Sequence, residues 1–202
     1  MINKISIQNF KCFDEFSLPM SNINILSGIN GMGKSTVIQS LLLLRQSMIK
    51  NGELGGLKIN GKYISLGSGQ DILYEKAEDE KISLGYEENG KSFFWDFQYI
   101  SESDFLPVLD KKDNEYKSVV FSHQFSYLSA YRIQPQDLYN IRNEVDVNNK
   151  EFGNDGEFAL QYLGLHGDDP VNNENVIIDK KVKNSLGNLV RMWMDKISPG
   201  IS

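Results

Sequence analysis

The chain has 202 residues, 40% of them hydrophobic, and a formal net charge of -6. That is enough for one substantial domain with a packed core. The acidic balance excludes a surface devoted throughout to nucleic acid or an anionic membrane, because phosphate binding depends on neutralising Lys and Arg; a local basic patch stays open.

In chain order, Met1-Ile2-Asn3-Lys4 runs straight into an alternating pattern, without the charged start, apolar run and small-residue cleavage site of a signal peptide. Ile5, Ile7 and Phe10 alternate with Ser6 and Gln8 and predict a half-buried strand. The single cysteine, Cys12, reads as a semi-buried strand residue; it has no disulfide partner, and no Cys/His cluster has zinc spacing. Both points fit a reducing cytoplasm. Phe16 and Leu18 begin a second strand that Pro19 closes, and Ile23, Ile25 and Leu26 make a third apolar run ending in a Gly-rich loop. Residues 35–48 lack Gly and Pro and are rich in Leu, which predicts a helix packed against a sheet. Leu41-Leu42-Leu43-Leu44 within it is far too short to span a bilayer. The expectation is a cytoplasmic protein with no membrane partner.

Farther on, Asn60-Gly61 and Asn89-Gly90 read as hairpin turn pairs set among alternating runs such as Ile82, Leu84, Tyr86 and Phe93, Trp95, Phe97. They predict an antiparallel lobe over residues 57–100. Residues 66–74 read as a loop with a short helical turn, and 101–118 as an exposed connection. Residues 125–133 resemble a core strand that delivers Arg132 and Gln134 to its end, where α/β sheets place ligand contacts. Glu157 opens a short helix, where the helix dipole stabilises it. His123 and His166 stand apart from carboxylate partners and carry no site. Val182, Leu186, Leu189, Val190, Trp193 and Ile197 recur at helical spacing, giving a final amphipathic helix within 179–197, halted by Pro199-Gly200.

The chemistry concentrates in Gly28-Ile29-Asn30-Gly31-Met32-Gly33-Lys34-Ser35, which matches G-x4-G-K-[ST]. The glycines let main-chain amides approach phosphate oxygens, and the following helix presents its unpaired amides and positive end to the same anion. Lys34 is expected to reach the β- and γ-phosphates, and the Ser35 hydroxyl to ligate Mg2+. A chain of this length meets the pattern by accident on the order of once per hundred sequences. Here it also follows an apolar strand and opens a Leu-rich helix, the setting that the motif requires.

The opening Ile5-Ser6-Ile7-Gln8-Asn9-Phe10-Lys11-Cys12-Phe13, the loop from Gly28 through Thr36 and the helix after it resemble the ABC-type ATPases of the SMC, RecF and OLD kind. Gly61-Lys62-Tyr63-Ile64-Ser65-Leu66-Gly67 with Asp71-Ile72-Leu73-Tyr74, Leu128-Ser129-Ala130-Tyr131-Arg132-Ile133-Gln134-Pro135 and Gly153-Asn154-Asp155-Gly156-Glu157 are similar to a bacterial OLD-like subgroup of AAA ATPases. The resemblance implies an α/β P-loop NTPase, the N-terminal half of an ABC-ATPase head with an antiparallel β lobe, using ATP and Mg2+. It implies nucleotide contacts from Lys11, Gly28, Asn30, Gly31, Met32, Gly33, Lys34, Ser35 and Thr36. It also implies a glutamine at the end of a core strand that helps to hold the metal or the attacking water. Gln134 is the candidate, with Gln136 behind it, and Arg132 and Gln134 read equally well as caps of a strand edge. Lys34 and Gln134 are thus the candidate catalytic pair, and Ser35 and Gln134 the candidate metal ligands.

The family pattern also includes an LSGGQ-like signature and an apolar strand ending in Asp-Glu, and neither occurs here. Val176-Ile177-Ile178-Asp179 comes nearest but runs into Lys180-Lys181, so it reads as the lead into the final helix. The expectation is a single, incomplete ATPase domain over 1–202, truncated or completed by another polypeptide. Such a domain dimerises through nucleotide with a second copy or a second ATPase chain, and hydrolyses ATP only when completed. The alternative is a non-hydrolysing, nucleotide-dependent interaction module in a defence or DNA-repair assembly, with DNA itself not indicated by the charge.

Overall fold

A computed structural model describes residues 1–48, 53–110, 118–122, 125–130, 141, 153–179 and 182–200. They fall into two compact units, Met1–Phe125 and Ser126–Ser202.

The first unit is built on a four-stranded antiparallel sheet. Its strands are β1 (Ile2–Phe10), β2 (Phe13–Pro19), β4 (Lys81–Glu88) and β5 (Lys91–Gln98), in the order β2-β1-β4-β5. β1 and β2 are joined by the two residues Lys11 and Cys12, and Phe10 pairs with Phe13 across them. β4 and β5 are joined by Asn89-Gly90, both at positive φ, 50° and 78°, the backbone that a two-residue hairpin needs to match strand twist. Ile5 and Ile7 of β1 stand opposite Tyr86 and Leu84 of β4, and Leu84 stands opposite Trp95 of β5. These alternate positions turn one apolar face inward.

Helix α1 (Lys34–Ser47) covers that face. Thr36, Ser40, Leu43, Leu44 and Ser47 recur at helical spacing and are buried, and Val37, Leu43 and Leu44 join Ile5, Ile7, Phe10, Ile72 and Leu84 in one core. Buried serines fit because they are satisfied: Ser40 Oγ donates to Val37 O, and Ser47 Oγ donates to Leu43 O while accepting from Lys58 N. β3 (Gly56–Lys58) and β6 (Phe105–Pro107) form a separate two-stranded pair.

Several expectations change at this level. The strands foreseen for a lobe over 57–100 are divided, with β4 and β5 built into the sheet of β1 and β2, and β3 paired to β6 from the stretch read as a loose connection. Asn60-Gly61 does not turn a regular hairpin. Instead the Asn60 carboxamide accepts from Leu66 N and Gly67 N and donates to Gly67 O, organising a loop from within. The third apolar run forms no strand among the described residues, and Ile23 and Ile25 are 82% and 86% exposed.

The second unit holds α2 (Ala159–His166) and α3 (Leu186–Ile197). The final helix therefore starts later than 179: residues 174–176 form a 3-10 turn, and Pro170 bridges Ser185, the residue before α3. Leu189 is buried, while Val190, Trp193, Met194 and Ile197 remain at least a third exposed. His166 is paired after all, its Nδ1 lying 2.7 Å from Asp169 Oδ2 and its ring beside Tyr162. Among the described residues no helix is long and apolar enough to cross a membrane.

Candidate functional site

Residues 28–33 form an irregular loop that runs directly into α1. Gly28, Gly31 and Gly33 have φ of 145°, 86° and 83°, backbone settings that side-chain-bearing residues rarely adopt. Gly33 caps α1 without any side-chain hydrogen bond, and the first turn carries no acidic residue. The leading amides of the helix and its positive end are therefore not neutralised by the first turn's own side chains. The Lys34 side chain curls back over the loop, and its ammonium donates to Gly28 O at 2.8 Å and Ile29 O at 2.7 Å. One cation thus ties the start of the loop to its end. Asn30, Met32 and the Ser35 side chain face solvent, whereas Thr36 is buried.

The corner between β1 and β2 braces this loop. Cys12 is exposed and lies in the corner rather than in a strand. Its thiol donates weakly to Thr36 Oγ1 at 3.8 Å. A Cβ on Gly33 would overlap the Phe13 ring and stand 2.7 Å from Cys12 Sγ, so glycine is required there for space as well as for φ.

Lys11 also adopts a left-handed backbone, φ 54°, as does Asn9 at 54°. Both are held by residues 72–74: Lys11 N donates to Ile72 O, Tyr74 N donates to Asn9 O, and Phe10 bridges Leu73. Non-glycine residues stay in this region only where their surroundings impose it. The Lys11 ammonium donates to Gln39 Oε1 at 3.1 Å. Burial pulls the Lys11 pKa below the ordinary lysine range, against smaller opposing effects of Cys12 and Asp71. Asp71 sits below the usual carboxylate range, chiefly because it accepts from Ser68 N at 2.7 Å and Ser68 Oγ at 2.9 Å, with Lys11 adding a lesser pull.

The fold therefore brings Lys11, Gly28, Gly31, Gly33, Lys34, Ser35 and Thr36 into one neighbourhood at the end of β1 and the start of α1. Arg132, Gln134, Gln136 and His123 lie outside the described residues. Glu157 stands before α2 rather than inside it and accepts from Asp155 N, closing the 153–157 turn. Sequence reading gave no role at the site to Gln39, Phe13 or Asp71. The signal for Gln39 was present, since it follows Ser35 by four residues on a helix.

A family model described as AAA ATPase domain matches residues 1–189. The chain is 34% identical over 155 residues, 75% of its length, to the DNA replication and repair protein RecF of Cytophaga hutchinsonii, of which it covers 35%. It is 27% identical over 106 residues, 51% of its length, to the DNA double-strand break repair Rad50 ATPase of Methanosarcina acetivorans, of which it covers 9%. The chain thus spans about a third of one relative and under a tenth of the other. With nearly its whole length matched, the chain belongs to the AAA ATPase domain family, on the side of its ABC-type, SMC/RecF-like members.

Proposed function

We propose that residues 28–36 bind ATP with magnesium, and that the chain is the N-terminal half of an OLD/RecF-like ABC-type ATPase head with a P-loop fold. The observation that carries this reading is the loop itself. Three glycines at positive φ lead into a helix start whose first turn has no acid, and an ammonium lies across the opening. A triphosphate replaces the carbonyls of Gly28 and Ile29 as the partner of Lys34, with loop and helix amides satisfying the other phosphate oxygens.

Among the described residues no group of three or more His, Cys, Asp or Glu is placed to hold a metal. Magnesium suits this donor set only in company: it keeps several waters and is shared with phosphate oxygens, and Ser35 supplies one hydroxyl. Lys11 and Thr36 complete the nucleotide contacts, and Gln134 is proposed for the metal or the water.

Phosphoryl transfer depends on charge positioned at the γ-phosphate and on an oriented water. In this reading both come from an acidic strand outside these residues and from a partner's signature loop, across a dimer formed around the nucleotide. The exposed Ile23 and Ile25 support completion by a further strand, since an apolar run gains from burial on both faces. The test is nucleotide titration of the purified chain. Roughly micromolar ATP binding is expected, abolished by Lys34→Ala, with negligible phosphate release. Binding that survives Lys34→Ala overturns the site, and sustained turnover by the chain alone overturns the half-head.

A second reading is an interaction module in which nucleotide only sets dimer contacts, in a defence or DNA-repair assembly. The exposed stripe Val190, Trp193, Met194 and Ile197 on α3 favours it. ATP-dependent dimerisation in light scattering, without hydrolysis even in the completed assembly, distinguishes it.

A further inference from the structure

We propose that Gln39 is a positioning residue for the nucleotide, stationing the Lys11 ammonium on the face of α1 that carries Ser35. The inference rests on the reading of residues 28–36 as a triphosphate site. Ser35 and Gln39 are four residues apart on α1 and share one face, and helical side chains lean toward the N-terminus. An ammonium held by Gln39 Oε1 at 3.1 Å is therefore carried toward the loop.

The rest of Lys11 cannot adjust. Its backbone is fixed at φ 54°, its amide is bonded to Ile72 O at 2.7 Å, and the preceding Phe10 is fully buried. Only the four-carbon side chain moves, and a flexible side chain without an acceptor spreads its charge over many rotamers.

The chemistry of the acceptor matters as much as its place. A carboxamide oxygen holds the ammonium without neutralising it, so the full charge stays available to an incoming anion. Asp71 is a carboxylate that also pulls on the Lys11 ammonium. Its Oδ2 accepts from both the amide and the hydroxyl of Ser68, and its pull on Lys11 is the lesser, charge-only one. Gln39 holds the cation, and the phosphates then draw it off.

The experiment titrates Mg-ATP, using a fluorescent ATP analogue, into wild type, Lys11→Ala, Gln39→Leu, the double variant and Lys34→Ala, at several salt concentrations. Gln39→Leu is expected to weaken binding about threefold to tenfold. The double variant should bind no more weakly than Lys11→Ala, because both changes remove one interaction. Lys11→Ala and Gln39→Leu should also flatten the salt dependence of affinity in the same sense, a readout that a purely structural role for Gln39 leaves unmoved. Should Gln39→Leu fail to fold, Gln39→Glu keeps an acceptor oxygen. It is expected to bind ATP more weakly than wild type, since it neutralises Lys11. Wild-type affinity in either Gln39 variant, or losses that multiply in the double variant, overturns the proposal. If Lys34→Ala still binds, the triphosphate reading itself fails, which separates the two failures.

Discussion

The Phe13 ring occupies the space where a side chain on Gly33 would begin. The hairpin corner after β1 is thus a wall of the glycine-rich loop, and loop shape depends on a sheet that precedes it in the chain.

Gly33→Ala is expected to cost about 2–4 kcal/mol, combining left-handed backbone strain with forced displacement of Phe13 and Cys12. Gly31→Ala meets nothing within 4 Å and bears only the strain of φ 86°. Its cost should be about 1–2 kcal/mol. Urea unfolding of both variants gives the comparison, and equal losses would show that Phe13 does not wall the loop.

Lys11 gives a pH signature whose sign follows from burial. The folded protein releases this proton at lower pH than the unfolded chain does. Below the folded pKa both states are charged and the burial penalty is complete; as pH rises through that pKa toward the ordinary lysine value, the penalty is relieved. Lys11→Met should therefore be more stable than wild type near neutrality, and the gap should narrow in alkaline buffer. Thermal midpoints from pH 7 to 11 check this, and a gap that widens with pH would contradict it.

Leu43 is fully buried between α1 and the sheet. Leu43→Ala should cost about 2–5 kcal/mol. Because the same helix presents Lys34 and Ser35, ATP affinity should fall only as far as the unfolded fraction grows. Denaturant unfolding and nucleotide titration on one sample separate the two effects.

Ile25→Lys tests the exposed run. In the chain alone it should change stability by no more than about 0.5 kcal/mol, because the side chain is almost wholly in solvent. In an assembly that supplies a further strand it should block association, read as loss of the complex in size-exclusion chromatography. A complex that tolerates the charge would remove this segment from the interface.

Much of the first unit was legible in the sequence because its signals are local. Asn89-Gly90 encodes its own turn through two residues that accept positive φ, and Leu spacing encodes the buried side of α1. Asn60-Gly61 carries the same letters but a different outcome, since Asn60 uses its carboxamide on Leu66 and Gly67 and the chain winds around that side chain. Ile23 and Ile25 read as an apolar strand because hydrophobicity reports what a segment can bury, whereas pairing and burial also require a neighbour. His166 looked solitary because its partner, Asp169, comes within reach only through the turn that follows α2. At the site, the glycines and Lys34 were visible as a pattern. The brace from Cys12 and Phe13 was not, because it joins residues about 20 positions apart through sheet geometry.

The corner made by Lys11 and Cys12 has no slack. Phe10 and Phe13 are paired on either side, and both corner residues are committed, one to Ile72 and Gln39 and the other to Thr36. Related chains should consequently accumulate substitutions here without gaining or losing length. Insertions and deletions should settle instead in stretches such as 75–80, where exposed side chains predominate and the connection can grow without dragging the loop away from its wall.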